Sequence, residues 1–187
     1  MSAPHPLAAA LIERLQSRPK SRILDFAAGR GRNTKALLAA GLTVVAVEDA
    51  AAASKTPFDG VEGSFDAVIS THGLLHGIPA AIASRLDEIA DRLESKGLLY
   101  ATFGSTRDAR FGEGERIDDS TFAPSDGDER GVAHAYFDRE KMGTLLKRHF
   151  EIESLDEHVV DDIAGRWAHS ARPLDSAVHW FVKARKG

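Results

Sequence analysis

Residues 22–34 read R-I-L-D-F-A-A-G-R-G-R-N-T and join a short apolar run to a turn of small residues. The apolar run predicts a buried strand, and the turn predicts a connection to a helix. Gly29 and Gly31 carry no Cβ, so the backbone can turn tightly there and approach a ligand closely. A helix that begins near Arg32 directs the N–H groups of its first turn at the same place. This succession predicts an α/β domain with a nucleotide-type binding site.

Two acidic residues narrow the class of nucleotide. Asp25 lies at the end of the first strand, four residues before Gly29, and a buried carboxylate there needs a cationic amine or N–H donors. Glu48 ends the next apolar run, residues 43–47, where a carboxylate can accept hydrogen bonds from a ribose diol. A nicotinamide enzyme shares the second feature but prefers G-x-G-x-x-G, and this turn lacks the third glycine. That class is therefore the disfavoured alternative.

Residues 22–34 resemble the first motif of the class I S-adenosylmethionine-dependent methyltransferases, in which an apolar strand precedes D-x-x-x-G-x-G. The R-N-T that follows is similar to the small-molecule branch that includes tellurite-resistance and thiopurine methyltransferases. The resemblance extends through residues 65–70 and 97–103. It implies a Rossmann-like three-layer α/β sandwich, with a mostly parallel sheet that ends in an antiparallel C-terminal hairpin. It also implies S-adenosyl-L-methionine as cofactor and methyl transfer to a small-molecule acceptor.

The same resemblance assigns roles to residues of the motif. Asp25 is expected to help hold the amino-acid end of the cofactor, the glycines to pass beside it, and Glu48 to accept hydrogen bonds from the ribose hydroxyls. The complete cofactor-binding set that it implies is Asp25, Ala27, Gly29, Gly31, Arg32, Asn33, Thr34, Glu48, Asp49 and Thr71.

The connection after Glu48 is unusually short for this family. Residues 49–64 alone separate Glu48 from the next apolar run. One parallel crossover takes about a dozen residues or more, so this segment is too short for a crossover together with another strand and its return loop. We therefore predict that the third of the usual seven strands is absent or vestigial. In the family the loop after that strand reads the adenine amine, so Asp49 or residues 54–59 are the candidates for that role here. This departure favours an alternative function: a degenerate fold that binds an S-adenosyl ligand or a partner without catalysis.

Residues 65–70 predict a strand buried on both faces, followed by T-H-G-L-L-H-G at 71–77. Ligands of open α/β sheets bind at the carboxyl ends of strands, so Thr71 and His72 are expected to face the cleft. His72 and His76 are the candidate catalytic residues, as a general base or as groups that position an acceptor. The alternative is that both are hydrogen-bonded loop histidines.

Metal binding is an alternative role for the histidines. His72 and His76 have i, i+4 spacing, and His134 and His169 fall in loops expected to share the cleft. However, Gly73 and Gly77 weaken a helix at 71–77 and no H-E-x-x-H occurs. The sequence therefore predicts no metal site.

Residues 104–134 contain many glycines and acidic residues and few apolar ones, which predicts a lid-like loop inserted into a single domain of residues 1–187. A second loop spans 161–175. Because both follow strands that end at the cleft, their side chains are candidate substrate contacts: Arg107, Phe111, His134, Trp167 and His169.

Charge and composition limit the possible partners. The 187 residues have a net charge of −4, which argues against a nucleic-acid-binding surface. The absence of cysteine excludes disulfides and thiolate chemistry. No apolar run approaches membrane-spanning length, and the N-terminus lacks the pattern of a signal peptide. We expect a cytoplasmic protein without nucleic-acid or membrane partners, and the oligomeric state stays open between a monomer and a weak dimer.

Overall fold

The computed structural model describes residues 3–48, 58–127, 129–160 and 177–187. The described helices are α1 Pro6–Leu15, α2 Arg32–Ala39, α3 Pro79–Arg92 and α4 Arg139–Leu146, and a short 3₁₀ turn covers Gly73–Leu75. The described strands are β1 Arg22–Phe26, β2 Thr43–Val47, β3 Phe65–Ser70, β4 Leu93–Ser105, β5 Glu115–Arg116, β6 Thr121–Ala123, β7 His134–Phe137, β8 Phe150–Val159 and β9 Val178–Lys186.

The main sheet has the predicted topology. Strands β2, β1, β3 and β4 lie side by side and run parallel. Strand β9 then pairs antiparallel with β4, and β8 pairs antiparallel with β9. The mostly parallel sheet and the antiparallel C-terminal hairpin are thereby confirmed. Within the described residues β2 is the outermost strand on its side.

The alternation of side chains along β1 separates the two faces of the sheet. Ile23 packs with Leu7, Leu11 and Leu37 of α1 and α2 on one face. Leu24, the next residue along, packs on the opposite face with residues of α3 and α4. Because successive side chains of a strand point to opposite faces, Asp25 falls on the side of α1 and α2. The helices on both faces complete a three-layer sandwich.

Residues 104–134 hold more regular structure than their glycine content predicts. Strands β5, β6 and β7 pair antiparallel. The rings of Phe111, Phe122 and Tyr136 contact one another in edge and tilted arrangements, with centroid separations of 5.4, 5.7 and 6.3 Å. This small apolar cluster supplies the burial that orders the segment. Strand β7 also pairs with β4 at Gly104 and Ser105, beyond Ala101, the last residue of β4 that pairs with β3. The segment is therefore attached at the carboxyl end of the parallel strands.

None of the helices in the described ranges combines the length and apolar character needed to cross a membrane.

Candidate functional site

The turn between β1 and α2 repeatedly takes a left-handed backbone conformation. Ala27, Gly29 and Gly31 have φ of 60°, 54° and 69°. Gly31 is the N-cap of α2, and the turn is fixed to the neighbouring strand by a hydrogen bond of 3.1 Å from the Ala28 N–H to the Val47 carbonyl. No described atom lies within 4 Å of the position that a Cβ on Gly29 would take. The surface of the turn at Gly29 can therefore be approached closely.

Asp25 is a buried carboxylate at the base of this turn, with 1% of its surface exposed. The Thr34 hydroxyl donates to its Oδ2 at 2.5 Å. Burial raises the pKa of Asp25 from 3.8 to about 6, with a smaller contribution from the negative charge of Glu48, while hydrogen bonds from Thr34 oppose the rise. No lysine or arginine of the described residues forms an ion pair with it. The site therefore has a buried negative charge that a cationic ligand would stabilise.

Asn33 joins three elements around the turn. Its Oδ1 accepts a 3.0 Å hydrogen bond from the His5 N–H, and its Nδ2 donates to the Thr71 hydroxyl at 2.8 Å. His5 in turn caps α1, because its Nδ1 accepts from the Leu7 N–H. The start of α1 is thus held against the start of α2 and the end of β3. Asn33 and Thr71 are both predicted to bind cofactor. In the structure they form hydrogen bonds that join elements of the fold.

Two charged residues, Glu48 and Arg32, lie at the ends of the elements that border the turn. Glu48 directly follows β2 and is exposed, so its carboxylate is accessible to a diol. Arg32 begins α2, and burial lowers the pKa of its guanidinium. Asp49, the other acidic residue predicted here, lies outside the described residues.

Gly73 allows the loop after β3 to pack directly on the turn. A Cβ on Gly73 would lie 2.4 Å from the Cβ of Ala27 and 2.9 Å from the Ser70 Oγ. His72, just before it, has φ of 130°. The predicted catalytic loop and the glycine turn are therefore in contact, as the sheet topology requires.

Four histidines collect beside this loop. The His72 ring lies 5.3 Å from the His179 ring, and His5 and His158 pack on Phe181 at 4.9 and 4.3 Å. Burial lowers the pKa of His5 to about 2, and electrostatic interactions with Arg32, His179 and His158 lower it further. His5 is therefore neutral at physiological pH. Sequence reasoning missed His5, although the H-P pair at the start of an amphipathic helix was a signal for a cap.

His76 does not share the surroundings of His72. Its Nε2 lies 3.0 Å from Glu129, and its ring makes an edge contact of 4.9 Å with the ring of His134. The two predicted catalytic histidines thus have different partners. Glu129 was not predicted, because it lies in a charged stretch without periodicity.

The other predicted substrate contacts have separate surroundings. Arg107 is 74% exposed and pairs with Glu157 at 2.8 Å. Phe111 is 37% exposed and belongs to the aromatic cluster of residues 104–134. Trp167 and His169 lie outside the described residues.

No family model matches the sequence, and no curated protein matches it. Solved structures do resemble the fold. The 1,6-didemethyltoxoflavin-N1-methyltransferase of Burkholderia thailandensis, solved with S-adenosylhomocysteine and 1,6-didemethyltoxoflavin, superposes with a TM-score of 0.66 at 22% identity, covering 97% of this chain and 77% of that one.

Two further solved structures have a similar fold. Magnesium protoporphyrin IX methyltransferase (ChlM) of Synechocystis, solved with bound S-adenosylmethionine, has a TM-score of 0.59 at 13% identity over 96% of this chain and 78% of that one. For TehB of Haemophilus influenzae the TM-score is 0.63 at 12% identity over 96% of this chain and 62% of that one. This chain therefore has the Rossmann-like fold of the class I methyltransferases.

Proposed function

We propose that this chain is an S-adenosylmethionine-dependent methyltransferase that acts on a small-molecule acceptor. The observation that carries the proposal is the carboxylate of Asp25, which is buried beside a glycine turn without a cationic partner among the described residues. A ligand that brings positive charge would stabilise this group. S-adenosylmethionine carries an ammonium and a sulfonium, and the fold likeness supports the same choice.

The residues around the turn fit the amino-acid end and the ribose of this cofactor. Asp25 would hold the amino-acid end, and the backbone beside Gly29 and Gly31 would pass close to it. Glu48 would accept hydrogen bonds from the ribose hydroxyls, because it is an exposed carboxylate at the end of the adjacent strand. We assign adenine recognition to Asp49 or residues 54–59.

The cofactor supplies a methyl group that is already electrophilic because it is attached to a sulfonium. The task of the protein is then to align an acceptor with that methyl group and to exclude water. The start of α1, held by Asn33 through the His5 N–H, is well placed to exclude water from the cleft. An acceptor that attacks through oxygen or nitrogen must also lose a proton, and we assign the role of general base to His72. A thiol or another soft acceptor needs no base.

Residues 104–134 are our candidate for the acceptor-binding segment. The Phe111 ring is partly exposed and contacts the rings of Phe122 and Tyr136. Such a surface suits a planar or apolar acceptor. Arg107, Trp167 and His169 complete the proposed acceptor contacts.

Two observations favour a second candidate, in which the chain binds an S-adenosyl ligand or a partner without turnover. Ala27 takes φ of 60°, a conformation that suits glycine, and the connection after Glu48 is short. Both depart from an unstrained, complete cofactor site.

Transfer of a labelled methyl group from S-adenosylmethionine to a panel of thiols, phenols and aromatic heterocycles separates the two candidates. We expect transfer to at least one acceptor. For an oxygen or nitrogen acceptor, His72→Ala should lower the rate by about 10²-fold or more, the usual contribution of a general base. Transfer to a thiol should change little. Cofactor binding without transfer to any acceptor would favour the second candidate. Failure to bind S-adenosyl ligands would contradict the first candidate and would leave only partner binding in the second.

A further inference from the structure

Three side chains outside the proposed cofactor site converge on one point. The His76 Nε2 lies 3.0 Å from Oε1 of Glu129, and the His134 Nε2 lies 2.9 Å from Oε2 of the same carboxylate. The ligating atoms of all three residues lie within 4.8 Å of one another. Two imidazole nitrogens and one carboxylate therefore face a common centre.

Backbone pairing fixes the two histidines relative to each other. His76 and His134 form an antiparallel β-bridge, and the Gly77 N–H donates to the Ala133 carbonyl at 2.7 Å. The Arg85 guanidinium donates to the His76 carbonyl. The side chains are 20%, 6% and 12% exposed for His76, His134 and Glu129. The cluster is thus held in place and largely shielded from solvent.

The contacts of His134 define its tautomer, that is, which ring nitrogen carries the hydrogen and which presents a lone pair to the carboxylate. Its Nδ1 lies 2.8 Å from the Val132 carbonyl, which can only accept, so Nδ1 carries a hydrogen. In a neutral ring Nε2 then presents a lone pair to the Glu129 oxygen. That contact is favourable only with a cation between the two atoms, either a proton or a metal ion. An Nδ1–H bonded to a backbone carbonyl is also the arrangement that orients a metal-ligating histidine.

The chemistry of the three ligands selects the class of metal. Two imidazoles and one carboxylate without a thiolate suit a divalent transition ion, and the same ligand types serve Zn²⁺ with a water in the fourth position. With metal–ligand bonds of about 2.0–2.1 Å, adjacent ligand atoms of a tetrahedral site lie roughly 3.3 Å apart. The distances to Glu129 are close to that spacing. Arg110, whose Nη1 lies 3.5 Å from Oε2 of Glu129, would move aside.

We propose that His76, Glu129 and His134 bind one Zn²⁺ ion, which fixes residues 104–134 to the loop that follows β3. The ligands come from two distant parts of the chain, since Glu129 lies 53 residues after His76. The sequence predicts no metal site, and this proposal revises that prediction. It is independent of methyl transfer.

The test is a Zn²⁺ titration of the full chain after removal of metal with a chelator, in competition with a chromophoric zinc indicator. We expect one equivalent to bind. His134→Ala should weaken binding by about 10²-fold or more, and Glu129→Gln by about tenfold or more. His149→Ala is the matched control, because that ring also faces a carboxylate, Asp87 at 2.7 Å, outside the cluster. It should bind as the wild type does.

A measurement on the wild type keeps the proposal testable if a variant fails to fold. In ¹⁵N-histidine spectra, Zn²⁺ should shift Nε2 of His76 and His134 and leave both nitrogens of His149 unchanged. Three results would overturn the proposal: a wild type that binds less than one equivalent, equal binding by the His76→Ala/His134→Ala double variant, or an equal loss in His149→Ala. In each case the three side chains would not form a zinc site.

Discussion

At the scale of single residues, the protonation of Asp25 links ligand binding to stability. The pKa of this carboxyl is about 6 in the folded chain against an ordinary value of 3.8, so the folded state binds the proton more tightly than the unfolded state. The free energy of unfolding therefore falls as the pH rises from about 4 to about 6 and is level above that range. The buried negative charge of Asp25 therefore lowers the stability of the ligand-free protein.

Asp25→Asn should accordingly stabilise the free protein at neutral pH. The neutral amide keeps an oxygen for the Thr34 hydroxyl and removes the buried charge. We expect the free energy of unfolding at pH 8 to rise by about 2 kcal/mol, on the order of the pKa shift, and the gain to vanish near pH 4. Urea denaturation across this pH range measures it. Glu48→Gln, at an exposed position, is the control and should change stability by less than about 0.5 kcal/mol. A variant that is less stable at every pH would contradict the assignment.

A second residue-scale prediction concerns the contact of Ala27 with Gly73. Gly73→Ala should destabilise the fold by about 1–3 kcal/mol because its Cβ has no room. Ala27→Gly should stabilise by about 0.5–1 kcal/mol, because glycine accepts the positive φ without strain. The double variant should lose less than the sum, since the closest clash of 2.4 Å is gone. Thermal melting of the four proteins completes the cycle, and strict additivity would refute the contact.

At the scale of elements, Asn33 is expected to hold α1 over the cleft. Asn33→Ala leaves the buried His5 N–H without its acceptor, which should cost about 1–3 kcal/mol. Amide exchange in residues 5–11 should speed up more than exchange in α3. Thr71→Val removes only the second hydrogen bond of Asn33 and is the control. If α1 exchanges equally fast in both variants, Asn33 does not hold this helix.

Helix α4 offers an independent check of local structure. Asp138 is the N-cap of this helix, and its Oδ1 accepts a 2.8 Å hydrogen bond from the Lys141 N–H. Asp138→Ala should lower the free energy of unfolding by about 1 kcal/mol, and Asp138→Asn should lower it far less because the amide oxygen still caps. Denaturant titration distinguishes the two. Equal losses would show that the charge, and not the cap, stabilises the helix.

At the scale of the whole molecule, periodicity predicted the sheet better than it predicted the site. The run at residues 65–70 and the stripe of Ile82, Leu86 and Ile89 carry patterns that local sequence defines. Strand β4 begins at Leu93, ahead of the motif residues 97–103, and Leu93 pairs with Phe65 before a register shift. Only the neighbouring strand determines that extension.

The partners of the site residues could not be predicted, because they depend on packing between distant segments. Asp25 and Glu48 belong to a recognisable pattern. In contrast, the contacts from His5 to Asn33 and from Glu129 to His76 join positions 28 and 53 residues apart. No local signal encodes such pairs. In the sequence Gly73 indicates only a weakened helix, and its close approach to Ala27 appears only in the folded structure.

The central claim is that the carboxylate of Asp25 binds a cationic nucleoside. Calorimetric titration with S-adenosylmethionine tests this claim most directly. We predict that the wild type binds S-adenosylmethionine and S-adenosylhomocysteine but not NAD, and that Asp25→Asn, although folded and more stable at neutral pH, binds both at least tenfold more weakly. Wild-type binding of NAD alone, or undiminished binding by the variant, would contradict the account.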